Sequence, residues 1–298
     1  MKILKLILIS NLIIHSFVTW SKEVVSDPSS HSIMSQWFSI DSSFDNKFEK
    51  TLLSEDDNIA KYSLSFISDD RQPVNGILAV PKNKSESLKL ALLLHAMGTD
   101  QNLWWNPNKI SGSKISEKLL QQGYAVLTLD ARRHGKRVSD GLGPKDMIAK
   151  AHSEQPRLYT DMIIGTVRDY RIALEWAQKE LHLENTSILV AGYSMGAQMS
   201  LLLASYESEI NQVMVMVPPF VNESQSPVAP RLHVSRINEA ELIILAARQD
   251  PYSTQENYEL VFNKISTPKK SIKWFDSGHL LPADYFETAL NFIDKLSI

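Results

Sequence analysis

From Lys61 onward the chain is punctuated by short apolar runs. The segments "KYSLSFISD" and "PVNGILAVP" alternate or are rich in β-formers, and Asp69-Asp70-Arg71-Gln72 separates them, which predicts a hairpin. Beyond it the runs "KLALLLHA", "YAVLTLDA", "SILVAG", "VMVMVPP", "LIILAAR" and "SIKWFD" follow, most of them separated by stretches with helical spacing. The longest such stretch, 161–181, carries Met162, Ile163, Val167, Ile172, Leu174 and Trp176 on one broad face. Strands that are apolar at successive positions are covered on both sides. Joined by helices, they predict a mostly parallel sheet with right-handed crossovers, here preceded by an antiparallel hairpin. No internal repeat and no Pro/Gly/Ser-rich linker appears after residue 60, so one α/β domain over 60–298 is expected. Within it the insertion at 138–160 is long enough to form a small lid.

Composition narrows the class. With 298 residues and 43% hydrophobic residues the chain has ample material for a core. A net charge of −3, with charges scattered along the chain, offers no basic stripe for a phosphate backbone, and nucleic acid is not an expected partner. The absence of cysteine excludes disulfides, thiolate catalysis and Cys-ligated zinc. At the start, Lys2 and Lys5 precede an apolar stretch centred on Leu6 to Ile14, followed by the small residues Thr19 and Ser21. This pattern predicts a signal peptide over 1–21, a mature chain beginning near Lys22, and an exported protein, periplasmic or extracellular. Polar Ser10, Asn11, His15 and Ser16 break the apolar stretch, so no stable membrane insertion is expected after cleavage. The Ser-rich segment 22–59 is weakly periodic and reads as a surface-packed extension.

In a parallel sheet, ligands gather outside the carboxyl ends of the strands, and the residues just after each run are where chemistry is expected. Gly192-Tyr193-Ser194-Met195-Gly196 ends one of these runs. Glycines on both sides of a serine allow a tight strand-to-helix turn that exposes the hydroxyl, although the same pentad also fits a plain turn of small residues. A serine hydroxyl needs a base, and the base needs a carboxylate to hold its tautomer. Where the nucleophile sits on such a turn, the acid and then the histidine follow it in the chain. Only His233 and His279 lie beyond Ser194, and His279, in "WFDSGHLLP" just after the last run, is the expected base. Asp250, leaving "LIILAARQDPY", is the expected acid; Asp276, three residues before His279, is its rival. The oxyanion of a tetrahedral intermediate requires backbone donors, expected from Met195 and, after the first parallel strand, from Met97 in "HAMG". Trp104 and Trp105 are candidate walls of a substrate pocket, or else core anchors.

Taken together, "HAMG", "DARRHGKR", "GYSMGA", "RQD" and "SGH" resemble, in order and spacing, the α/β-hydrolase superfamily over residues 60–298. The Asp-x-x-x-His-Gly-x-Arg form of Asp130 to Arg137, with the preceding hairpin, is similar to dienelactone-hydrolase-like and acetyl-xylan-esterase-like carboxylesterases. The resemblance implies an eight-stranded sheet with helices on both faces. It further implies acyl transfer without metal or cofactor, a small-molecule ester substrate, and the triad Ser194, Asp250 and His279. His134 and Arg137 are expected to brace the loop beside the site. Where those families usually have His-Gly, this chain has His95-Ala96. A serine peptidase or thioesterase of the same architecture, and a binding protein that keeps the fold without catalysis, are the competing readings; the latter is expected to lack a triad member, and none is missing.

Overall fold

The computed structural model describes residues 28–296 apart from 83–87, 110–112, 139–140, 152, 154–155 and 185. The segment expected to be a signal peptide lies outside the described residues. The described chain starts with helix α1 (Pro28–Trp37). Strands β1 (Glu49–Glu55), β2 (Ile59–Ile67) and β3 (Pro73–Pro81) follow as an antiparallel meander, the last two forming the expected hairpin. Then come β4 (Lys89–Leu94), α2 (Lys114–Gln121), β5 (Tyr124–Leu129), α3 (Pro144–Ala151), α4 (Arg157–Glu180), β6 (Ile188–Tyr193) and α5 (Met195–Tyr206). The remainder is β7 (Ile210–Met216), β8 (Glu241–Ala247), α6 (Gln255–Lys264), β9 (Lys270–Phe275) and α7 (Tyr285–Lys295).

Among the described residues all strands join one sheet in the order β1-β2-β3-β5-β4-β6-β7-β8-β9. β3 pairs with β5 antiparallel, and every pair from β5 to β9 is parallel. The sheet therefore has nine strands where the resemblance implied eight. The additional strand, β1, lies in the segment read as an extension, and its sequence "EKTLLSE" is exposed at every position. An edge strand with neither face buried carries no alternation to read, and its register against β2 slips between Leu52 and Ser54.

The central strands show why their runs are continuously apolar. In β4, Leu90, Leu92 and Leu94 point into one cluster with α4, α5 and Tyr258 of α6, while Ala91 and Leu93 point into a second cluster with α2 and α7. The same division separates Val213 and Val215 from Met214 and Met216 in β7. Side chains alternate across a pleated sheet, so a strand between two helical layers must be apolar at both parities. The chain leaves β4 toward β5 on one side and returns through α3 and α4 to β6 on the other. Connections diverging at the carboxyl ends of β4 and β6 open the crevice in which such sheets bind ligands. The 138–160 segment contributes α3, which packs against α4 and accepts a hydrogen bond at Ala151 O from Gln225 Nε2 (2.6 Å).

Candidate active site

Ser194 stands between β6 and α5 in a conformation few residues adopt, with φ 56° and ψ −117°. Such a backbone is strained for any residue with a Cβ and persists only when its surroundings over-determine it. The surroundings do so here. Ser194 N–H donates to Met216 O on β7 (2.9 Å), and both flanking glycines are sterically obligatory. A Cβ at Gly192 would lie 2.2 Å from Gly196 backbone atoms, and one at Gly196 would lie 2.1 Å from Leu94 O on β4. The strand end, the turn and the helix start are packed so closely that only glycine fits at either position. The pentad is thus a sharp elbow that lifts the serine hydroxyl out of the sheet edge.

Ser194 Oγ lies 2.7 Å from His279 Nε2, and His279 Nδ1 lies 3.0 and 2.9 Å from the two carboxylate oxygens of Asp250. With Nδ1–H donating to the carboxylate, Nε2 is left as the acceptor for the serine hydroxyl. Asp250 is buried and further accepts from Tyr258 Oη–H (2.5 Å) and from Tyr252 N–H (2.9 Å). Burial works to raise its pKa, but the hydrogen bonds from His279, Tyr258 and Tyr252 outweigh it and hold the carboxyl below its ordinary value. Tyr193 Oη–H donates to His279 O (2.9 Å) and accepts from Leu281 N–H (2.9 Å), fixing the backbone of the histidine loop. The rival groups lie elsewhere. Asp276 is exposed and pairs with Arg248 (3.1 Å), and His233 is buried against Phe38 with its Nδ1 2.6 Å from Tyr206 Oη.

The loop after β4 is braced from beneath. His95 Nε2 accepts from Ala131 N–H (2.9 Å), which leaves its Nδ1–H to donate to Ala96 O (2.9 Å), and Thr99 Oγ1–H donates to the same carbonyl (2.7 Å). Ala96 is not among the residues with positive φ, so this position accepts a Cβ without backbone strain. Met195 N–H is in the first turn of α5, where amides have no intrahelical acceptor, and Met97 is half-buried in the loop after β4. Arg137 Nη1 donates to Asp130 O (3.0 Å) and to the buried Asp169 (2.7 Å), and His134 Nδ1 donates to Arg132 O (2.9 Å). Both residues brace the loop after β5. Burial foremost lowers the pKa of His95 and of His134 to about 4.

The tryptophans are not placed as pocket walls. Trp104 is 0% exposed within the cluster on the α2 and α7 side, and Trp105 donates from Nε1 to Thr128 on β5 (3.1 Å) beneath the Lys61 ammonium. Two aromatic residues in sequence marked an anchor of the β4–α2 connection to the sheet. Tyr258, eight residues beyond Asp250, is the site residue that sequence reasoning missed; nothing along the chain distinguishes it from any other buried residue of an amphipathic helix. Asp169 was detectable, being a lone carboxylate amid the apolar face of the longest helix.

A glycine-flanked serine elbow between strand and helix, on a mostly parallel sheet wrapped by helices on both faces, is the architecture of an α/β-hydrolase. Residues 81–284 match the dienelactone hydrolase family, and the chain belongs to it. It is a carboxylesterase-type enzyme, acting on ester bonds. No curated protein sequence matches the chain. Among solved structures it is similar to acetyl xylan esterase 1 from a Thermoanaerobacterium species (16% identity, TM-score 0.71, covering 89% of this chain and 93% of that one). It is also similar to an acetyl xylan esterase from a Paenibacillus species (17% identity, TM-score 0.70, covering 92% and 96%). A third is a cold-adapted esterase from an Arctic intertidal metagenomic library (15% identity, TM-score 0.61, covering 83% and 96%).

Proposed function

We propose that the protein hydrolyses carboxylic esters through an acyl-enzyme formed on Ser194. His279 Nε2 takes the hydroxyl proton as Ser194 Oγ attacks the ester carbonyl, and the Asp250 carboxylate holds the tautomer and stabilises the imidazolium. The backbone amides of Met195 and Met97 donate to the oxyanion, and water later releases the acyl group with His279 as base again. The observation that carries the reading is the unbroken contact from Ser194 Oγ to His279 Nε2 (2.7 Å) and from His279 Nδ1 to Asp250 (2.9 Å). Labelling by a fluorophosphonate, read by intact mass, tests it together with hydrolysis of a p-nitrophenyl ester. Wild type takes up one equivalent, whereas Ser194→Ala takes up none and loses at least roughly 10⁴-fold in kcat. Turnover by Ser194→Ala near the wild-type rate removes the serine mechanism.

The protein is further proposed to be exported, its support being the charged start, apolar stretch and small residues of 1–21. N-terminal sequencing of the protein recovered outside the cytoplasm is expected to begin near Lys22; an intact Met1 there overturns the cleavage.

A further inference from the structure

Three apolar side chains stand out in solvent on three successive loops at the active edge of the sheet. Phe220 follows β7, Tyr252 follows β8 and Leu280 follows β9, and they are 38, 56 and 69% exposed. A large apolar side chain standing in water gains nothing for the fold. The backbones that carry them are pinned to the site. Tyr252 N–H donates to Asp250, its carbonyl accepts from Phe220 N–H (2.9 Å), and its ring meets the His279 imidazole edge-on with centroids 4.7 Å apart. Leu280 lies between His279 and Leu281, whose backbone groups are both bonded to the Tyr193 hydroxyl. Val217, which opens the loop bearing Phe220, is held at φ 45° with its N–H donating to Leu245 O (2.8 Å), a costly conformation for a β-branched residue. The Tyr252 ring thus touches His279, and the backbones that carry Phe220 and Leu280 are tied to the loops bearing Asp250 and His279.

The chemistry assigns this region to one half of the substrate. When the tetrahedral intermediate collapses, the bond from carbon to the alcohol oxygen breaks and its electron pair passes to that oxygen. The imidazolium of His279 then gives it the proton taken from Ser194, so a free alcohol departs and the acyl group stays on Ser194 Oγ. The leaving oxygen must therefore come within hydrogen-bond reach of Nε2, and the body of the alcohol extends over the residues around His279. From this we infer that Tyr252, Leu280 and Phe220 form the alcohol subsite, and that the preferred substrates are esters of alcohols bearing a ring with a broad apolar face. An aromatic ring and a branched aliphatic on rigid backbone suit such a face, because contact removes apolar area from water with little ordering cost. The inference rests on the serine-ester reading above and extends it to the substrate.

The test uses acetates of ethanol, cyclohexylmethanol and 2-naphthylmethanol, which keep the acyl group constant and leave from a primary oxygen of similar acidity. Wild type is expected to show kcat/KM roughly tenfold higher for the two ring-bearing acetates than for ethyl acetate. Tyr252→Ala and, separately, Leu280→Ser are expected to shrink that ratio severalfold, chiefly by raising KM for the ring-bearing esters. Equal kcat/KM for all three acetates in wild type overturns the inference. So does a variant that lowers all three by one common factor, since that pattern belongs to residues that merely position His279. Absence of turnover on every acetate, together with a Ser194 that takes up no fluorophosphonate, overturns the serine-ester reading itself.

Discussion

Asp250 illustrates how much of a site is decided by single contacts. Its carboxylate faces His279, but the Tyr258 hydroxyl at 2.5 Å and the Tyr252 amide at 2.9 Å set its orientation. Removing the Asp250 carboxylate and loosening it are therefore separable. Asp250→Asn favours the wrong tautomer of His279 and is expected to lower kcat on the order of 10⁴-fold. Tyr258→Phe leaves the charge in place and is expected to lower kcat about tenfold with KM little changed, the loss of one charge-assisted hydrogen bond. Asp276→Asn, an exposed partner of Arg248, should stay within about twofold of wild type on the same ester. An Asp276 variant slower than the Asp250 variant reverses the assignment. At Gly196 the constraint is steric. Gly196→Ala drives a Cβ to 2.1 Å from Leu94 O, so the elbow must open, and both esterase activity and melting temperature are expected to fall. Ser194 and its glycines were readable because the turn they make is local. Tyr258 was not, because its role depends on where α6 places it against the loop after β8.

Among the elements, α4 carries the least replaceable polar contact outside the site. Asp169, 0% exposed on its apolar face, accepts from Arg137 (2.7 Å), from Arg132 (3.0 Å) and from the Ser68 hydroxyl (2.6 Å). It ties the hairpin to the loop after β5. Removing one partner of a buried ionic cluster leaves the others desolvated and uncompensated, so Asp169→Ala is expected to cost about 3–5 kcal/mol, read from the urea midpoint. A loss under about 1 kcal/mol would show that water already reaches the arginines. The strands β4 to β8 were legible because burial on both faces writes apolar residues at most successive positions. β1 escaped notice for the opposite reason, an edge strand exposed along its length. The tryptophan pair shows the same limit, since an aromatic residue after a strand reads alike whether it turns toward substrate or under the sheet.

At the scale of the whole molecule, two buried histidines couple stability to pH. Burial foremost takes His95 and His134 from an ordinary 6.5 to about 4, their rings lying 5.1 Å apart between the loops after β4 and β5. The unfolded chain protonates both near 6.5 while the folded protein resists until about 4, so stability is full above 6.5 and falls as pH drops through that window. Each histidine contributes a loss on the order of 3 kcal/mol by the foot of the window. Asp169 and Asp250, held below their ordinary value despite burial, extend the loss further into acid, and Asp130, raised first by burial, offsets part of it. Urea midpoints measured from pH 7 to pH 4.5 should decline, less steeply in His134→Gln; a flat profile in wild type would mean that both rings already reach water. By itself the sequence determined the elements buried on both faces, the glycine-flanked turn at Ser194 and the chain order of Ser194, Asp250 and His279, because periodicity and tight turns are written in neighbouring residues. Only the tertiary structure decided the rest: how closely His279 approaches Ser194, which tyrosine steadies Asp250, that Trp104 lies under the sheet, and which apolar side chains are left in solvent on the loops around His279. Those choices follow from strand order, which brings residues 85 positions apart in the chain to 2.7 Å.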